Sequence, residues 1–142
     1  MKTLIKLICI VLTLAICFSV PASAEVSSRA SLFFHQISTY IYQLNDTQFQ
    51  VWFDVAALGT MQELGAYKIT VQRSTDGEDW QNMFSYLPEY YPQMIDYNTI
   101  EHGAYVPYHG TQGYYYRAFV TFYAKNSSGS GKLYRYTNTV YL

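Results

Sequence analysis

The sequence predicts an all-β protein in which two antiparallel sheets pack as a sandwich of about seven strands. Three observations lead there. Apolar and polar residues alternate at a period of two along most of the chain, the mark of half-buried strands. Turn signals separate the alternating runs, most clearly Asp76-Gly77 and Asn126-Ser127-Ser128-Gly129-Ser130-Gly131. No stretch after the first two dozen residues sustains a helical period beyond a single turn. Strands without helices to cover them can bury their apolar faces only against one another.

The elements follow in order. Phe33 to Tyr42 reads as a first strand. In the second, Phe49, Val51, Phe53 and Val55 share one face, and Gln48, Gln50, Trp52 and Asp54 the other. Thr60-Met61-Gln62-Glu63 has capping-box spacing, but Gly59 and Gly65 confine any helix to one turn, so Ala57 to Ala66 is expected as a structured loop. Tyr67, Ile69 and Val71 then oppose Lys68, Thr70 and Gln72. Asp76-Gly77 makes a tight hairpin, and the return strand runs from Asp79-Trp80 to about Ser85, with Trp80 expected to fold inward over the hairpin. Glu101 to Tyr108 is a further strand, which Pro107 demotes to an edge or a strand end. The longest is Gly113 to Lys125: Tyr114, Tyr116, Ala118, Val120, Phe122 and Ala124 face one way, and Tyr115, Arg117, Phe119, Thr121, Tyr123 and Lys125 the other. Lys132 to Leu142 returns as the last strand. Seven strands at this spacing fit an immunoglobulin-like sandwich.

The first 24 residues read as a signal peptide. Lys2 and Lys6 precede an apolar run from Leu7 to Val20, and small residues at Ala22 and Ala24 place the cut between Ala24 and Glu25. The run is too short for a membrane span of roughly 20 residues, and nothing later in the sequence would span one. Residues 25–142 are then a single exported domain of 118 residues, free or loosely held at a bacterial cell wall. Leu14-Ala15-Ile16-Cys17 has something of a lipidation motif, although Ile16 stands where Gly, Ala or Ser is usual. Cys9 and Cys17 both lie in the leader, which leaves the mature domain no disulfide, thiol nucleophile or thiolate-bound metal.

Composition narrows the function classes. With Lys2 and Lys6 removed, 7 Lys and Arg face 10 Asp and Glu, and there is no basic run, so nucleic acid is not the expected partner. Charged residues are 13% of the sequence and apolar ones 50%, which argues against disorder. Aromatic residues are in surplus: 16 Tyr, 2 Trp and, without Phe18, 7 Phe are more than a core of this size uses.

Three resemblances rest on particular residues. Tyr116-Arg117-Ala118, followed by Val120, Phe122, Ala124, Asn126 and Gly129, resembles the strand and turn that close a fibronectin type III domain, in a strand two residues longer. Gly113-Tyr114-Tyr115-Tyr116-Arg117 is similar to the tyrosine corner of immunoglobulin domains, with Arg117 where a cysteine often stands and Tyr115 and Tyr116 both candidates for the corner. Three stretches together resemble a family of short secreted proteins of unknown function from Gram-positive anaerobes. They are Glu63-Leu64-Gly65-Ala66 through Ile69, Gln72 and Asp76-Gly77 to Trp80; Gly110-Thr111, Gly113 and Tyr116-Arg117-Ala118 to Gly131; and Tyr136-Thr137-Asn138-Thr139-Val140. The likeness covers about two-thirds of the mature chain. It implies the same fold and an exported address, and brings no catalytic residues.

Little in the sequence points to chemistry. His102 and His109 are seven apart, hence on opposite faces of a regular strand, and with His35 they read as structural histidines rather than zinc ligands. Ser128 sits in a Gly/Ser turn, not in a nucleophile elbow. Asp76, Glu78 and Asp79 crowd one exposed hairpin, where weak calcium binding is the most they suggest. Glu101-His102 is a lone acid-base pair. No enzyme activity, cofactor or metal is therefore expected.

The ring surplus carries the functional expectation. Tyr115, Arg117, Phe119 and Tyr123 are expected in a row on an outer sheet face, beside Lys68, Thr70, Gln72 and a ring from Tyr134, Tyr136 or Tyr141. Tyr and Arg concentrate at binding surfaces because they give large contact area at low entropic cost. Tyr90 and Tyr91, on a loop stiffened by Pro88 and Pro92, are the second candidate cluster. The expected function is non-catalytic recognition of an extracellular glycan or protein. Self-assembly into a matrix or fibre is the alternative, and a small secreted hydrolase comes third.

Overall fold

The computed structural model describes residues 32–142; the expected leader, its expected cleavage point at Ala24 and Glu25, and Cys17 lie outside them. Among the described residues nine strands follow in chain order: β1 Phe34–Asn45, β2 Gln48–Met61, β3 Glu63–Ser74, β4 Gln81–Tyr86, β5 Ile95–Asp96, β6 Thr99–His109, β7 Tyr115–Asn126, β8 Gly129–Tyr136 and β9 Val140–Tyr141. All but β5 and β9 are six residues or longer, which leaves the seven main strands expected. They form two antiparallel sheets, one ordered β1-β2-β6 and a larger one ordered β4-β3-β7-β8, with β5 against β3 and β9 against β7. The chain crosses between sheets after β2, β5 and β6, the interleaved connectivity of an immunoglobulin-like sandwich.

The alternation in sequence becomes the core. Phe49, Val51, Phe53 and Val55 of β2 meet Ile69 and Val71 of β3, Val106 of β6, and Tyr116, Ala118, Val120, Phe122 and Ala124 of β7. Each of the larger side chains contributes about 1.5–3 kcal/mol relative to exposure. Tyr116 makes the tyrosine corner: its hydroxyl accepts from the Thr111 N–H (2.8 Å) and donates to the Thr111 carbonyl (3.2 Å), pinning the β6–β7 crossing. β6 lies at the edge of its sheet, where Pro107 leaves no central ladder bond unmade.

Five local expectations are corrected. The turn at Asp76-Gly77 is not tight: seven residues, Ser74 to Trp80, separate the last β3–β4 pair, Arg73 with Gln81, and the return strand begins at Gln81. Ala57 to Ala66 is strand, not loop. Met61 pairs with Thr99 of the small sheet, the Gln62 N–H donates to the Lys125 carbonyl of the large one (2.7 Å), and the chain changes sheets at that single residue. Extended backbone is satisfied on both sides there, so a helical turn gains nothing. Tyr67 does not face inward. A bulge between Ala66 and Lys68 sets two residues of β3 against one of β7, so Tyr67 and Lys68 both point out while Leu64, Ala66, Ile69 and Val71 point in. Trp80 folds back on the hairpin, its Nε1–H donating to the Gly77 carbonyl (3.1 Å), but on the outer face of the sheet rather than into the core.

The last expected strand is split into β8 and β9 by Thr137 and Asn138. Thr137 Oγ1 accepts the Ala118 N–H (2.9 Å) and donates to the Asn138 carbonyl (2.8 Å). The Asn138 amide then spans the sandwich, accepting from the Ile41 N–H (2.7 Å) and donating to the Ile41 carbonyl (3.3 Å). A side chain thus fills the place of a neighbouring strand on the open edge of β1.

Candidate functional site

β7 positions the row expected from the sequence, because its alternation turns Tyr116, Ala118, Val120 and Phe122 inward and leaves Tyr115, Arg117, Phe119 and Tyr123 on the outer face of the large sheet. Each of the four is half-buried against a neighbour. The Arg117 guanidinium lies between the rings of Trp80 and Tyr136, 4.2 Å from each centroid, and its Nε–H donates to Gln72 Oε1 (2.8 Å). Gln72 in turn donates to Asn82 (2.8 Å). Phe119 lies parallel to Tyr134 at 5.7 Å and tilted against Tyr136 at 4.7 Å. Tyr123 meets Tyr67 (5.6 Å), with the Lys132 ammonium 4.0 Å above the Tyr67 ring, and Tyr115 meets Tyr141 (4.8 Å). Each cation–ring contact of this kind stabilises by about 0.5–1 kcal/mol where exposed. Of the neighbours expected, Gln72 and all three rings join the row. Thr70 is buried and shares its hydroxyl bond with Ser85 (3.0 Å).

The loop pair divides. Tyr90 is 70% exposed, whereas Tyr91 packs edge-on against the buried Tyr86 (4.8 Å) and closes that end of the sandwich. Tyr86 donates its hydroxyl to the Pro107 carbonyl across the two sheets, and burial pushes its phenol above the ordinary tyrosine range.

The hairpin carboxylates do not converge. Asp76 Oδ1 accepts from the Glu78 and Asp79 N–H groups (2.9 Å each) and from the Ser74 hydroxyl (2.7 Å), and these bonds hold its carboxyl down at about 2. Among the described residues no three His, Cys, Asp or Glu side chains gather as a metal site. Glu101 and His102 are adjacent on β6 and so point to opposite faces. The His102 Nε2–H donates to the Gln93 carbonyl (2.8 Å), and its ring meets Phe53 edge-on. His109 bonds Gln48 on the other face (3.2 Å).

A second ringed surface lies on the outer face of the small sheet, and sequence reasoning missed it. Tyr40, Trp52 and Tyr105 stand in register across β1, β2 and β6. The Tyr40 and Trp52 rings are parallel at 6.2 Å, Trp52 and Tyr105 are 4.7 Å apart, and the Trp52 Nε1–H donates to Gln50 (3.0 Å). Beside this ridge runs a shallow groove of about 530 Å³ lined by Gln36, Asp54, Glu101, His102 and Gly103. Gly103 keeps it open: a side chain there would collide with the Asp54 carboxylate. Trp52 was legible as an outward residue of β2, but only the strand pairing shows that Tyr40 and Tyr105 flank it. Among the described residues, no helix is long and apolar enough to cross a membrane.

The fold and these faces define a β-sandwich with an aromatic surface on each side. Comparison with protein-family models, with curated proteins and with solved structures finds no match to this chain.

Proposed function

We propose that the chain is an exported, non-catalytic recognition domain that takes an extracellular partner, a glycan or a protein surface, on its ringed outer faces. One observation carries this reading: rings beyond those in the core are packed against neighbouring side chains on the outer faces of the two sheets and remain partly open to solvent. Ring positions that are set before contact lose little conformational entropy on binding. The small-sheet ridge adds amide and carboxylate groups beside the rings, at Gln36, Gln50, Asp54 and Glu101, so hydroxyl and cationic donors both find acceptors there. The leader supports the exported address, at a bacterial surface or free of it.

A pull-down of the purified protein on insoluble glycans, peptidoglycan and mucin, with a protein-coated control, tests the reading. Saturable capture lost in Trp52→Ala/Tyr105→Ala would place the partner on the small sheet. Loss in Tyr115→Ala/Tyr123→Ala would place it on the large sheet, and loss in Tyr90→Ala on the loop. Capture that survives all three sets in folded protein overturns the assignment to exposed rings.

A further inference from the structure

The cations are segregated between the two sheets. All six Lys and Arg of the described residues, Lys68, Arg73, Arg117, Lys125, Lys132 and Arg135, lie on β3, β7 and β8 of the large sheet. The small sheet has none. Its strands carry two carboxylates, Asp54 and Glu101, and the register places both on the outer face beside the ring ridge: Asp54 opposite Gly103, and Glu101 opposite Ala56. Among the described residues, neither has a cation within salt-bridge distance. On the outer face of the large sheet Lys125 is neutralised by Glu63 (2.8 Å), while Lys68, Arg117 and Lys132 have, among the described residues, no carboxylate within salt-bridge distance. One molecule therefore presents an anionic ringed face on one side and, away from the Asp76–Asp79 hairpin, a cationic ringed face on the other.

Resting on the reading of the ringed faces as binding surfaces, we infer that the partner is a second copy of this chain, its cationic large-sheet face seated on the anionic small-sheet face of the first. Complementary charge sets the pairing. Small sheet on small sheet would oppose Asp54 and Glu101 to themselves, and large on large would do the same to Lys68, Arg117 and Lys132, each a like-charge contact that costs several kcal/mol. Only the small-on-large contact joins opposite charges. It is heterologous, leaves the pair with one free face of each kind, and so continues into a stack instead of closing as a dimer.

The size of the face sets the strength. Three strands about 4.8 Å apart and about 3.3 Å per residue over the 11 residues of β6 give a face of roughly 14 by 36 Å, or about 500 Å². A standard stable complex buries about 800 Å² per partner. The contact is weak, and stacks form only where the local concentration is high.

Sedimentation velocity over a concentration series at low salt is the test, with Asp54→Lys/Glu101→Lys and Lys68→Glu/Lys132→Glu as variants, each checked for folding by circular dichroism. The expected result for the parent protein is a sedimentation coefficient that keeps rising with concentration and falls back when salt is added. Each variant alone makes both its faces alike in charge and is expected to weaken association by more than ~10-fold. An equal mixture of the two restores opposite faces and the stack. A parent protein that stays monomeric, one that saturates as a dimer, or a mixture no more associated than its components overturns the inference. Glycan capture by a monomeric parent, abolished in Trp52→Ala/Tyr105→Ala, would overturn the second copy as partner and leave the ringed-face reading standing. Monomeric protein that captures nothing in the pull-down removes both.

Discussion

Replacing Gly65 by alanine is expected to loosen the segment that carries Tyr90 and Tyr91. Gly65 sits in β3 with φ +153°, and β5 crosses directly over it, pairing Gly65 with Ile95. A Cβ at this position would lie 3.0 Å from Ile95 Cα and from the Met94 carbonyl carbon, and still closer to the Met94 oxygen. These are backbone atoms, so no side-chain rotation relieves the overlap and β5 has to move. Overpacking of a well-packed site costs about 1–3 kcal/mol, and a backbone conformation unfavourable for an L-residue adds about 1–2 kcal/mol. An upper bound comes from the side chains that β5 and the turn before it bury, Met94 and Ile95, at about 1.5–3 kcal/mol each. The expected loss is about 2–5 kcal/mol, with Tm lower by roughly 8–40 °C at 4–8 °C per kcal/mol.

Two other glycines separate the causes. Gly113 has φ +86° with nothing within 4 Å of its would-be Cβ, so Gly113→Ala should cost only the conformational part, about 1–2 kcal/mol. Gly59 has neither constraint, and Gly59→Ala should be neutral or stabilise by up to about 1 kcal/mol. Urea unfolding gives the three values, and amide exchange at Met94 and Ile95 shows whether the damage is local. A Gly65→Ala protein within 1 kcal/mol of the parent would refute the reasoning, as would one that loses no more than Gly113→Ala.

Three further outcomes follow from the hydrogen bonds. Tyr116→Phe removes the acceptor for the Thr111 N–H and should cost about 1–3 kcal/mol by urea unfolding, with no change in the burial of the ring; an unshifted midpoint would deny the corner its structural role. Asn138→Ala removes both bonds to the Ile41 backbone, and should cost about 1–2 kcal/mol and speed amide exchange at Ile41; unchanged protection there would mean that the edge is covered by something else. Asp76 ionises at about 2 when folded against 3.8 otherwise, so its stabilisation is present above pH 3.8 and fades as pH falls towards 2. Asp76→Asn should therefore melt below the parent at pH 7 and converge with it near pH 2, and a difference in Tm that persists at pH 2 would contradict that linkage.

The parts of the fold that could be read from sequence are those set by local periodicity. β2 alternates from Gln48 to Val55 and β7 along its length, so the inward residues there were evident, and Asp76-Gly77 marked the turn between β3 and β4 though not its length. The rest depended on pairing. The Tyr67 bulge leaves the residue types of β3 unchanged and shows itself only against β7. Thr137 and Asn138 end β8 with side-chain bonds to Ala118 and to Ile41, the latter 97 positions away in sequence. The outer row of β7 followed from its own alternation, whereas the ridge on the small sheet needs the register of three strands at once. Trp52 alone gives no sign that Tyr40 and Tyr105 will stand beside it.

The bulge in β3 has a consequence for what this domain can do without. Because Tyr67 and Lys68 together occupy one place opposite Thr121, removing Tyr67 leaves Ala66, Ile69 and Val71 still turned to the interior. Tyr67 is in this sense a spare residue: the interior has no use for it, and the outer face gains from it the ring that meets Tyr123 and carries the Lys132 ammonium. A chain shortened by that one residue should fold as before and differ only on its surface. The surface of this sandwich can therefore change by one residue without any change to its core.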